Sequence, residues 1–107
     1  MSKKELLVLL LIDRLPSMNS IYSLTSLYDR FDFPANIQEV LVNLKNVGLI
    51  EYSEIRPLTE MQVYKSTASG KKILKSDLNK KEMLDYINTL HNPGFLYELT
   101  EKIMNKN

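Results

Sequence analysis

A helix that stops at a glycine and gives way at once to a β-hairpin is the strongest constraint in this 107-residue chain. It lies in the stretch from Asn36 to Gly70. Ile37, Leu41 and Leu44 recur at helical spacing and mark one buried face. Gly48 follows the last turn, where the backbone often enters the left-handed region that glycine adopts cheaply. Residues 49–55 and 61–66 are then rich in β-branched and aromatic types, with Arg56-Pro57-Leu58-Thr59-Glu60 between them. Pro57 suits a turn and cannot donate to a ladder, so the pattern predicts a hairpin with a polar tip.

A helix, a glycine stop and a hairpin, in that order, resemble the recognition helix and wing of winged helix-turn-helix regulators. The pattern L-x-x-L-x-x-x-G-L-I stands as Leu41-Val42-Asn43-Leu44-Lys45-Asn46-Val47-Gly48-Leu49-Ile50. In the PadR-like and MarR-like groups a β residue followed by L-T-x-x-G closes the wing. Here it reads Tyr64-Lys65-Ser66-Thr67-Ala68-Ser69-Gly70, with Ser66 in place of the usual Leu. The resemblance implies a mainly α fold with a small β-hairpin wing and appended C-terminal helices. It also implies duplex DNA as partner, transcription regulation as function, and assembly as a homodimer.

The remaining elements follow from local signals. Helix one is expected over 3–15, and Leu6 to Ile12 is apolar on every side, which calls for cover all round. Pro16 ends it. Ser20 or Asn19 can cap a second helix over 20–30, with Ile21, Leu24, Leu27 and Tyr28 inward, and Met18 can serve a short first strand. Phe31 and Phe33 read as core plugs, and Pro34 suits the first position of a third helix over 35–47. Thr67 caps a helix over 68–76. Asn79 and Glu82 form a capping-box-like pair opening a helix over 80–91. Phe95, Leu96, Leu99 and Ile103 mark a last helix over 95–104. Residues 1–76 form the winged helix-turn-helix unit, and 77–107 a helical extension within the same compact body. The expected core includes Leu9, Ile12, Leu24, Leu27, Ile37, Leu41, Leu44, Ile50, Val63 and Ile73.

Composition narrows the chemistry. There are no cysteines, which excludes disulfides, thiolate metal sites and cysteine nucleophiles. His91, the one histidine, sits beside Asn92-Pro93-Gly94 and reads as a surface residue. Three scattered glycines form no phosphate loop, and the carboxylates stand singly. No catalytic residues, metal or cofactor are expected, and the chain is read as a non-enzyme. Lys3-Lys4 before the apolar run imitates a signal peptide, but the run is short and Asp13-Arg14 ends it without a cleavage site. A cytoplasmic protein with no membrane partner is expected.

If Ile37, Leu41 and Leu44 face inward, Asn36, Gln38, Glu39, Val42 and Asn43 face outward. Asn and Gln can pair with adenine, Glu can accept from cytosine, and Val can touch a thymine methyl. They are the expected base readers. Ser20, Tyr22, Lys45, Arg56 and Lys65 are the expected phosphate and wing contacts. Charge supports a rival: residues 34–67 hold three basic and four acidic side chains, whereas 65–107 carry a net +3. A weakly charged face also suits a winged-helix protein-interaction or assembly module that does not bind DNA. Surplus apolar surface points to a dimer interface of Leu7, Leu10, Met83, Tyr86, Ile87, Leu90, Phe95, Leu99 and Ile103.

Overall fold

The computed structural model describes residues 1–15, 20–30, 33–53 and 63–105, apart from the side chains of Ile21, Leu27 and Tyr28. Six helices and a two-stranded antiparallel sheet are present among them. In order they are α1 (Lys3–Arg14), α2 (Ile21–Arg30), α3 (Ile37–Asn46), β1 (Ile50–Tyr52), β2 (Tyr64–Ser66), α4 (Ala68–Asp77), α5 (Lys80–Asn88) and α6 (Gly94–Met104). The strands pair Ile50 with Ser66, Glu51 with Lys65 and Tyr52 with Tyr64. Ser53 extends the pairing by donating its amide to the Val63 carbonyl at 2.8 Å. An isolated antiparallel bridge joins Val63 to Ser20. The expected readings of Met18, Leu27, Tyr28, Phe31, Arg56 and the Pro57 turn, and the inward placement of Ile21, lie outside the described residues.

Each helix boundary has a local cause. Ser2 caps α1 in a full capping box: its hydroxyl accepts from the Glu5 amide at 3.2 Å, and the Glu5 carboxylate accepts from the Ser2 amide at 3.3 Å. The Asn36 side chain caps α3 by accepting from the Glu39 amide at 3.2 Å. Pro34 therefore does not occupy the first helical position that the sequence suggests for it. It stands ahead of the cap, within a tight turn closed by the Ala35 amide on the Phe33 carbonyl at 2.8 Å. At the other end of α3, Gly48 takes a φ of 78°. Its amide reaches the Lys45 carbonyl at 3.0 Å, and the Leu49 amide reaches the Leu44 carbonyl at 2.9 Å. This double closure satisfies two terminal carbonyls and turns the chain into β1.

Thr67 clasps the far end of the hairpin to the same turn. Its amide donates to the Leu49 carbonyl at 3.0 Å, and its hydroxyl donates to the Gly48 carbonyl at 2.6 Å. The same hydroxyl oxygen accepts from the Gly70 amide at 3.0 Å, capping α4. Asn79 caps α5 through the Glu82 amide at 3.0 Å.

The core is built around α1. Every residue from Leu6 to Ile12 is buried, and α1 packs against α3, α4, α5 and β2. Leu24, Phe33, Ile37, Leu41, Leu44 and Ile50 join the same apolar cluster. Val63 and Ile73, expected in the core, are half-buried. The cover that α1 requires comes from its own chain, because α5 and α6 pack on one another and complete the cluster with Met83, Ile87, Leu96 and Ile103.

This placement corrects part of the expected dimer surface. Leu7, Leu10, Met83, Ile87 and Ile103 are buried within the single chain and are core residues. Tyr86, Leu90 and Leu99 are half-buried and pack against that core, while Phe95 is 48% exposed.

A polar cluster ties the apolar centre to the sheet. The Asp13 carboxylate, at the end of α1, accepts from the Ser66 hydroxyl at 2.5 Å, the Lys71 ammonium at 2.6 Å and the Arg14 guanidinium at 3.1 Å. Arg14 also donates to the Ile103 carbonyl at 3.3 Å. Burial alone would raise the Asp13 pKa. The hydrogen bonds from Lys71 and Ser66, the Lys71 charge and the Arg14 contact outweigh it, so the carboxyl is held below its ordinary 3.8. Its stabilising contribution is therefore complete above pH 3.8 and lost as pH falls through the lower folded-state value. Asp13→Asn is expected to cost about 1–3 kcal/mol near neutral pH, as charge-assisted hydrogen bonds are lost. Urea unfolding checks this. The gap between variant and parent should narrow as pH falls below 3.8, and a gap that widens there would contradict the assignment.

Candidate nucleic-acid interface

The amphipathic pattern of α3 sets out the site. Ile37, Val40, Leu41 and Leu44 are buried, so the opposite side of the helix points to solvent. Gln38, Glu39, Val42 and Asn43 are all exposed there and line one open depression. An amide, a carboxylate, a methyl pair and a second amide are thus brought together within two helical turns.

Asn36 belongs to this surface only in part. It is exposed, but its side-chain oxygen is engaged by the Glu39 amide, which leaves the amide nitrogen to face a partner. Ser20 is corrected more fully. It is buried, and its hydroxyl accepts from the Ser23 amide at 3.0 Å and donates to the Ser23 hydroxyl at 2.9 Å. It serves as the α2 cap and a link to Val63 rather than a phosphate contact. Tyr22 is exposed on α2 and lines a second depression with Thr25, Ser26, Asp29 and Arg30.

Two of the expected cations already have partners. The Lys45 ammonium lies 3.7 Å from the centre of the Tyr52 ring, a cation–π contact that holds it beside the hairpin. The Lys65 ammonium is 3.5 Å from the Glu51 carboxylate directly across the strands, on an exposed face where such a pair adds little stability. Arg56 lies outside the described residues.

Tyr52 and Tyr64, also cross-strand partners, have ring centres 5.1 Å apart and tilted by 35°. The Tyr64 hydroxyl, and then Lys45, hold the Tyr52 phenol below its ordinary value of 10.0. Burial, and then Tyr52, push Tyr64 up to about 12. The Lys45–Tyr52–Tyr64 arrangement was not singled out from the sequence. Its signal is two tyrosines that the hairpin register places opposite each other.

His91 is exposed beyond α5. Among the described residues no group of three or more His, Cys, Asp or Glu side chains could hold a metal ion, and no helix is long and apolar enough to cross a membrane. No family model, curated protein or solved structure matches the chain.

Proposed function

We propose that this chain is a small winged-helix transcription regulator that binds duplex DNA. In this reading α3 enters the major groove and the hairpin from β1 to β2 rests on the backbone or minor groove. The carrying observation is the joint exposure of Gln38, Glu39, Val42 and Asn43 on the one face of α3 that the core leaves uncovered. Two adjacent features support it. The α1-α2-α3-β1-β2 order is compatible with a winged helix, and an isolated antiparallel bridge joins Ser20 to Val63 beside the hairpin. Gln38 and Asn43 carry base recognition, while Lys65 and Tyr22 position the duplex. A homodimer, matching paired half-sites, would use Phe95 with the outer edges of Tyr86, Leu90 and Leu99.

The test is binding to fragments of the chain's own upstream region across a salt series. Specific binding that weakens with salt is expected. Gln38→Ala or Asn43→Ala should lose about 1–3 kcal/mol against the preferred sequence and relax preference at one position. Lys65→Ala should weaken all duplexes nearly equally and flatten the salt slope, and Arg56→Ala, proposed on sequence grounds, should do the same. Glu39→Gln gives opposite signs for two roles. A cytosine reader loses specific affinity on this change, whereas a carboxylate that only repels phosphate gains affinity for every sequence. Folded variants that bind all duplexes as the parent does would remove α3 as the reading surface.

A protein-binding role is favoured by a specific feature of the same region. Tyr22, Val42 and Val47 are 75%, 56% and 65% exposed, and Glu39 and Glu51 balance Lys45 and Lys65. Absence of DNA binding at low salt, with retention of a protein partner that Val42→Asp releases, would favour this reading.

A further inference from the structure

A groove of about 520 Å³ lies on the C-terminal half of the molecule, bounded by the end of α1, one side of α4, the first residue of α5 and the end of α6. Its charge is one-sided. Among the described residues, Arg14, Lys71, Lys75 and Lys80 line it, against the single carboxylate of Asp13. That carboxylate is already engaged by Ser66, Lys71 and Arg14. Lys80 donates to the neutral Asn105 side chain and has no ion-pair partner among the described residues. Lys75 is exposed and has no ion-pair partner among the described residues.

The apolar part of the lining is equally defined. Leu74 is buried, and Leu78 and Met104 are half-buried. Lysines on a helix are usually only solvated, but here they border a groove that also presents the apolar side chains of Leu74, Leu78 and Met104. The volume falls in the range of small-molecule pockets, about 300–1,000 Å³. A protein partner would instead need a broad surface of about 800 Å² on each side.

We propose that this groove binds a small amphipathic anion. A phosphate or carboxylate head pairs with Lys75 and Lys80, and a short aliphatic body lies against Leu74, Leu78 and Met104. The inference does not rest on the DNA reading, since no residue of α2, α3 or the hairpin takes part.

Methyl-labelled full-length protein titrated with octyl phosphate, and separately with octanoate, tests it by NMR. Saturable shifts at the Leu74, Leu78 and Met104 methyls are expected for at least one of the two heads. Octanol, with the tail but no charge, and inorganic phosphate, with the charge but no tail, should each bind at least about tenfold more weakly. The double variant Lys75→Gln with Lys80→Gln should lose about tenfold in affinity while keeping the parent's spectrum elsewhere, and Lys81→Gln should change nothing. Unchanged affinity in the double variant, or shifts confined to methyls outside the groove, would overturn the proposal. So would sedimentation with phosphatidylglycerol vesicles without binding of either free ligand, which would assign the cations to a membrane surface instead.

Discussion

Gly70→Ala is expected to destabilise the fold by about 3 kcal/mol or more, at or beyond the upper end of ordinary overpacking. A Cβ built on Gly70 would stand 2.2 Å from the Leu49 carbonyl oxygen and 3.3 Å from a Leu9 methyl. The first of these is a backbone atom that also accepts from the Thr67 amide, so it cannot step aside without opening the clasp. The usual gain of about 1 kcal/mol from replacing a helical Gly by Ala is far too small to offset this. Urea unfolding reads the effect, with Gly94→Ala as the control, because a Cβ at Gly94 meets nothing within 4 Å. A Gly70→Ala midpoint equal to the parent's would contradict the packing. Failure of Gly70→Ala to fold beside a normal Gly94→Ala would agree with it.

Leu10→Ala should cost about 2–5 kcal/mol, the range for opening a cavity in a core that cannot collapse around it. Leu10 is fully buried by its own chain, so the loss should not depend on protein concentration. Unfolding midpoints followed over a roughly hundredfold concentration range check this. A loss that shrinks at high concentration would return Leu10 to a subunit interface. Phe95→Ala, by contrast, should cost the single chain less than Leu10→Ala, since about half of the residue already meets solvent.

The contrast between Leu10 and Phe95 shows what the sequence can and cannot convey. The run from Leu6 to Ile12 demands cover on every side, and that demand is plain from the residue types. An apolar pattern that goes all the way round carries no direction, however, so it does not say whether α4 and α5 or a second subunit supplies the cover. The faces of α3 were legible for the opposite reason: buried and exposed positions alternate at helical spacing, so Gln38, Val42 and Asn43 are assigned outward by their neighbours.

Short polar residues ahead of a helix were harder to assign. Ser20 and Asn36 have side chains suited both to a partner and to orphan amide groups of the backbone, and the nearer claim prevailed. Asp13 had no visible role, because Ser66 and Lys71 are brought to it only by tertiary packing. The hydroxyl of Ser66 meets that carboxylate at 2.5 Å, a pairing across 53 residues that no local pattern announces.

The clasp formed by Gly48, Leu49, Thr67 and Gly70 has an evolutionary consequence. It fastens both ends of the hairpin to one point of the body, independently of the chain that runs between Ser53 and Val63. For a loop whose ends are held, each doubling of length adds only about 0.6 kcal/mol of closure entropy. Lengthening the interval between those two residues therefore adds little closure entropy for the fold to offset. The length of chain between the two strands then becomes a dimension in which descendants of this chain can diverge at small entropic cost.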